Sequence, residues 1–252
     1  MVDKESNEIA EHGPTREHEI FVHLSELRSR ILRCLVYIAI GTFIGWLLYD
    51  SFFFKLLSTP VRPVLEQAGG KFLLTGIAEG FVIKMEISLL VGLILALPLV
   101  TLEGWGFVAP GLTRSEKRAT MLMAPLSVIL FAAGVVLAYC ILPTGIRWMV
   151  GQNPPDSILM PTVAQTLLFI LKMCLAFGLV FQLPVILMTL ARIGIVNSKM
   201  LKSYWRYSVV VIGIVAAVIT PSGDAFSMLM MAAPMVGLYM LSIVLVRLVE
   251  RK

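Results

Sequence analysis

Hydrophobic positions along the chain gather into six long runs: Ile31 to Tyr49, Phe81 to Leu102, Met121 to Leu142, Val163 to Leu190, Tyr204 to Thr220 and Phe226 to Val246. Crossing a bilayer as a helix takes about 20 apolar residues, with a range of about 17 to 25. The pattern therefore predicts six membrane-spanning helices, the fifth at the short limit and the fourth long enough to tilt. Pro98, Pro125, Pro184 and Pro234 fall inside these runs, where each removes a backbone hydrogen bond and favours a kink or break. An all-α, polytopic bundle with kinked helices and a concave face is the expected fold, formed as one domain over residues 1–252. Two linkers are long, Asp50 to Gly80 and Pro143 to Thr162, and their prolines and glycines predict structured caps. The last link, Pro221 to Ala225, is short enough for a hairpin, and Asp224 or Ser222 is placed to accept hydrogen bonds from the first amides of the next helix.

Upstream of the first run the chain is polar, without the apolar core and cleavage site of a secretory signal, so the N-terminus is expected to be retained. Residues 1–19 read as a flexible tail. Ile20, Leu24, Leu27 and Ile31 then recur at helical spacing, which predicts an interfacial helix over 20–30 that runs into the first span. On this helix Glu26 and Arg30 form an i, i+4 pair, worth a few tenths of a kcal/mol on an exposed surface.

Composition agrees with a lipid-facing surface: 58% of residues are hydrophobic, 15% are charged, and the mean hydropathy is +0.88. The net charge of +5 does not point to nucleic acid, because the basic residues lie in short stretches between spans rather than in one patch. Their distribution orients the chain instead. An even number of spans puts both termini on one side, and fourteen Lys and Arg fall there against Lys55, Arg62, Lys71 and Arg147 on the other. By the positive-inside rule both termini face the cytoplasm.

Little catalytic chemistry is available. Cys34, Cys140 and Cys174 sit in apolar runs without metal-ligand spacing and read as packing residues, and His12, His18 and His23 all precede the first span. No phosphate-binding loop is present, so the chain does not hydrolyse nucleotides for energy. Small-solute transport is disfavoured because spans one to three do not repeat in four to six. Intramembrane proteolysis is disfavoured because Gly223-Asp224 has no second aspartate within a span. Within the spans, Lys172 is expected to face a partner or a wet cavity, since a charge at a helix centre costs about 2.5 to 3.5 kcal/mol. For Gln182 two roles remain open, an interhelical hydrogen bond or a grip on a polar group of a partner helix. Gly134, Ala138, Gly178 and Gly213 read as close-packing positions.

Four segments carry a specific resemblance: His23-Leu-Ser-Glu-Leu-Arg-Ser-Arg30, Trp105-Gly-Phe-Val-Ala-Pro-Gly-Leu-Thr-Arg-Ser-Glu-Lys-Arg118, Phe177-Gly-Leu-Val-Phe-Gln-Leu-Pro184 and Thr220-Pro-Ser-Gly-Asp224. In this order, with six spans, the chain resembles TatC, the signal-receptor subunit of the twin-arginine protein translocase. The resemblance implies a non-enzymatic receptor and assembly core for export of folded proteins across a bacterial-type inner membrane, driven by the proton gradient. It implies no cofactor or metal, assembly in several copies, and as partners twin-arginine signal peptides and single-span subunits of the TatA and TatB type. By position, Glu26 and Glu116 match carboxylates that receive the paired arginines, Arg28 and Phe107 match other parts of that cytoplasmic surface, and Pro60 and Asp224 match residues of the external caps. Two separated carboxylates suit two adjacent guanidinium groups, each of which prefers a bidentate anionic acceptor. The chain departs from the family pattern at Gln182 and Met240, where Glu is common, and at Glu86, where Lys is common.

Overall fold

The computed structural model describes residues 16–250 apart from 68, 109–113, 155–158, 193 and 221–223. The helices are α1 (Arg16–Leu48), α2 (Phe54–Ser58), α3 (Arg62–Gln67), α4 (Glu79–Val108), α5 (Arg114–Gly151), α6 (Val163–Val180), α7 (Leu183–Arg192), α8 (Ser198–Ser203), α9 (Trp205–Ile219) and α10 (Ala225–Glu250). A π-helical turn, Tyr49–Phe53, joins α1 to α2. Among the described residues five helical stretches are long and apolar enough to cross a bilayer, and Trp205–Ile219 is a shorter apolar helix. At a rise of about 1.5 Å per residue α9 is about 23 Å long, short of a typical hydrocarbon core. The interfacial helix and first span expected from the sequence are one uninterrupted helix, α1, which begins at Arg16 inside the segment expected to be a flexible tail; residues 1–15 lie outside those described.

Backbone chemistry explains where the fourth apolar run breaks. Pro184 has no N–H and its ring excludes a helical carbonyl one turn earlier, so α6 stops at Val180. Phe181 and Gln182 close the turn through Phe181 N–H to Phe177 O (2.9 Å) and Gln182 N–H to Leu179 O (3.0 Å). Pro184 then sits in the first turn of α7, where a missing donor costs least. Pro98, Pro125 and Pro234 lie within continuous helices, as does Pro143. This corrects the second external linker: α5 runs through Pro143 to Gly151, so only 152–162 connect it to α6.

Packing runs α1 on α4, α4 on α5 and α6, α5 on α6, α7 on α10, and α10 on α9. The tightest approach is α1 to α4. Gly41 faces the backbone of Gly92 and Gly45 that of Ser88, and a Cβ on Gly92 would collide with the backbone of Thr42. The hydroxyls in this seam bond within their own helices, Thr42 to Ile38 O (2.8 Å) and Ser88 to Lys84 O (2.6 Å), leaving no polar group unsatisfied between them. Gly134 and Gly178 make a second close contact, α5 to α6, beside Phe131 and Phe177. Gly213, expected to pack closely, has nothing near the place of a Cβ. Of the cysteines, Cys174 is buried as expected of a packing residue, Cys34 is half-buried and Cys140 is exposed.

On the far side from the termini, α2 and α3 form a cap. Ser58, Pro60, Val61, Val64 and Leu65 are buried beneath it. Tyr139 donates to Leu56 O (2.8 Å), and Leu73 pairs in parallel with Thr162. Gly69, with φ of 65°, supplies the left-handed turn that ends α3. A cavity of about 250 Å³ lies between this cap and the ends of α5 and α6, lined by Val61, Leu65, Ile146 and Phe169 among others. At the last hairpin Asp224 caps α10 as expected, accepting from Ser227 N–H at 2.7 Å; Ser222 lies outside the described residues.

Candidate functional site

Residues 26, 30, 33 and 37 of α1 are spaced i, i+4, i+7 and i+11, which aligns Glu26, Arg30, Arg33 and Tyr37 on one helical face. At the termini side of the bundle that face meets the last turns of α4, where Glu103 points back at it. Arg30 donates through Nε and Nη2 to Glu26 Oε1 at 3.1 and 2.6 Å. Its Nη1 donates to the Glu103 carbonyl at 3.0 Å and to Oε2 of the same residue at 3.2 Å. Glu103 Oε1 takes the Tyr37 hydroxyl at 3.2 Å and lies 3.2 Å from Arg33 Nη1. Exposure grades outward, from 13% at Glu103 and 16% at Arg30 to 32% at Glu26 and 50% at Arg33.

Thus Glu26 and Arg30 do form the i, i+4 pair, yet the pair is not an isolated surface contact. Glu103 ties it to a second helix, and its low exposure makes the hydrogen bonds stronger than their solvated counterparts. Arg28 is exposed on the same helix. Glu116 lies in the first turn of α5, where a carboxylate suits the helix dipole, and Phe107 lies one turn beyond Glu103 on α4; both side chains, and that of Trp105, are outside the described ones. Glu103, Arg33 and Tyr37 carry the site without having been singled out from the sequence. The one-face spacing on α1 was a usable signal for Arg33 and Tyr37, whereas Glu103 is 73 positions from Arg30 and gave none.

Gln182 occupies the break between α6 and α7. Its side chain is buried, 9% exposed, and Nε2 donates to Ser127 O of α5 at 2.9 Å, so an interhelical hydrogen bond is in place. The same residue also lines a groove of about 450 Å³ between α4 and α7, with Thr101, Gly104, Leu179, Val185, Ile186 and others. Lys172 is exposed on α6, as are Glu86 on α4 and Met240 on α10. Near the termini side, Asn197 caps α8 by accepting from Met200 N–H at 2.7 Å, and Glu250 at the end of α10 accepts from the Ser198 backbone at 2.6 Å and from its hydroxyl. The Ser198 hydroxyl and amide hold the Glu250 carboxyl below its usual range. Among the described residues no group of three His, Cys, Asp or Glu side chains is arranged to hold a metal ion.

The family model for the Sec-independent protein translocase protein (TatC) matches residues 22–234, which includes α1 from its second turn onward, the whole charge network and the groove. The chain belongs to the TatC family. Relatives named Sec-independent protein translocase protein TatC include one from Desulforapulum autotrophicum, 36% identical over 91% of this chain and 84% of the relative, and one from Carboxydothermus hydrogenoformans, 33% identical over 92% and 94%. A chloroplastic relative from Pisum sativum is 32% identical over 94% of this chain and 66% of its own length. A crystal structure described as the twin arginine translocase receptor TatC superimposes with a TM-score of 0.78 at 29% identity, covering 90% of this chain and 99% of that one. TatC membership and the apolar helices make this chain a multi-pass membrane protein of a protein translocase.

Proposed function

We propose that this chain is the receptor and assembly core of a twin-arginine translocase in a bacterial-type inner membrane, binding the paired arginines of signal peptides at a cytoplasmic face built from Glu26, Arg28, Phe107 and Glu116. The observation that carries this reading is that Glu26, a third exposed, already accepts two N–H donors of a guanidinium through one oxygen. A carboxylate held this way on a membrane-entering helix has the chemistry an arginine ligand needs. The excess of basic residues on the same side supports a cytoplasmic placement.

The groove beside Gln182 is the docking face for the membrane helix of a TatA or TatB type subunit. Its lining is mostly apolar, and Gln182 and Thr189 give it polar edges. Pro60 and Asp224 serve the opposite face, the first buried in the cap and the second capping α10.

Crosslinking of a twin-arginine peptide to probes at positions 26 and 116 in membranes tests the receptor role. Glu26→Ala and Glu116→Ala should each weaken peptide binding without unfolding the chain, and Glu116→Gln should do the same because a bidentate charge-assisted pair needs an ionised acceptor. Higher salt should weaken binding as well. Unchanged binding in both alanine variants would return these residues to a role in helix ends alone. For the groove, Gln182→Leu should lose small-subunit co-purification while peptide binding persists, and Gln182→Glu should be tolerated as a protonated donor.

A further inference from the structure

Arg30 has no part in the receptor reading, and its position conflicts with a simple version of it. Arg30 is 16% exposed and spends its donors on the carboxylate assigned to the ligand: Nε and Nη2 both end on Glu26 Oε1. Nη1 is held separately by the carbonyl and carboxylate of Glu103. Space for this comes from Gly106, since a Cβ there would run into Nη1. Glu26, Glu103, Arg30 and Arg33 together carry no net charge, so an approaching cation is not drawn in by these four groups as a set. It must compete for Glu26.

We infer that Arg30 is an internal competitor of the signal arginine, and that Glu103 is the holding point that lets the competition be resolved by exchange. This rests on the receptor reading for the identity of the incoming group. When a peptide guanidinium takes Glu26, Arg30 gives up the contacts of Nε and Nη2 but keeps those of Nη1 to Glu103. Neither half-buried carboxylate is left without a cation at any stage, which removes the largest cost of breaking such a pair. Glu103 is fitted for the task because it is the least exposed member and is braced by Tyr37 and Arg33, so it stays in place while Glu26 changes partner. Arg30 thereby sets the affinity of the receptor, and Glu103 positions Arg30 without touching the peptide.

Peptide affinity in the full chain, reconstituted in lipid, tests this. Arg30→Ala and the milder Arg30→Gln should bind a twin-arginine peptide about tenfold more tightly, because the Nε and Nη2 contacts to Glu26 no longer have to be displaced. Glu103→Gln should bind it more weakly, because Arg30 then has only Glu26 to hold. A structural role alone would not tighten binding. A second measurement needs no peptide: millimolar methylguanidinium should raise the melting temperature of Arg30→Ala but not of the unaltered chain, and methylammonium at equal ionic strength should do less. Weaker peptide binding in both Arg30 variants, or equal stabilisation by the two cations, overturns the inference. Failure of the unaltered chain to bind any twin-arginine peptide, with methylguanidinium still rescuing Arg30→Ala, would remove the receptor reading and leave Arg30 as the occupant of a guanidinium-shaped place.

Discussion

At the far end of the α1–α4 pair, Lys84 lies 2.6 Å from Asp50 and sits over the rings of Trp46 and Tyr49 at 5.0 and 5.6 Å. At the end beside the termini, Arg30 and Arg33 share Glu26 and Glu103. Asp50 is 75% exposed, so the first pair gains little beyond what water would supply, and the aromatic faces do more to keep the Lys84 ammonium in place. The Glu103 carboxylate is 13% exposed, accepts from Arg30 and Tyr37 and pairs with Arg33, so it fixes the spacing of two helices. Between the two ends the helices touch through glycines and need no charge at all. The difference shows that the two ends use charge differently: a pair with an exposed carboxylate at one end, a packed network around a half-buried one at the other.

The comparison can be broken from the middle outwards. Gly92→Ala should have the largest effect, a loss of about 3 kcal/mol, because the Thr42 backbone cannot step aside and α1 must move off α4. Gly213→Ala should be tolerated, with a gain below about 1 kcal/mol from helix propensity, since nothing lies near the added methyl. Thermal melting in detergent separates the two, and a tolerated Gly92→Ala would disprove the close seam.

Glu103→Gln comes next, with an expected loss of about 2 kcal/mol as the charged hydrogen bond from Arg30 becomes a neutral one and the ion pair with Arg33 is lost. Asp50→Ala should cost less than about 1 kcal/mol by the same measurement. If the two variants melted alike, the contrast between the ends would be wrong.

The smallest effect is a pH dependence at the α8–α10 contact. Glu250 has a lowered folded-state pKa, so its contribution is fully present above the ordinary glutamate value, about 4.3, and is lost as pH falls through the lower folded value. Hydrogen exchange at Ser198 should therefore quicken only below that range, and Glu250→Gln should remove the step.

Much of the scaffold was legible one residue at a time. A bilayer demands long apolar runs, so the spans were visible in hydropathy alone, and the break before Pro184 and the cap at Asp224 follow from chemistry local to a few residues. Proline was a weaker guide where tertiary packing could absorb it: Pro143 sits inside α5, because one missing hydrogen bond does not outweigh a helix otherwise held by its neighbours. The site was half legible. Glu26 and Arg30 are a turn apart and announce themselves, and Gln182 stands out as polar in an apolar run.

Only the folded chain decided what those groups touch. Glu103 reads in sequence as one more acidic residue at the end of a span, and it becomes the partner of Arg30, Arg33 and Tyr37 because the glycine seam brings α4 close enough to α1. Gly92 and Gly213 look alike in sequence, and one is indispensable to packing while the other faces open space. Periodicity and capping are set by neighbours within a turn, so sequence determines them; the partner of a charge or a glycine is set by which helix arrives from far along the chain, and that is a property of the tertiary structure alone.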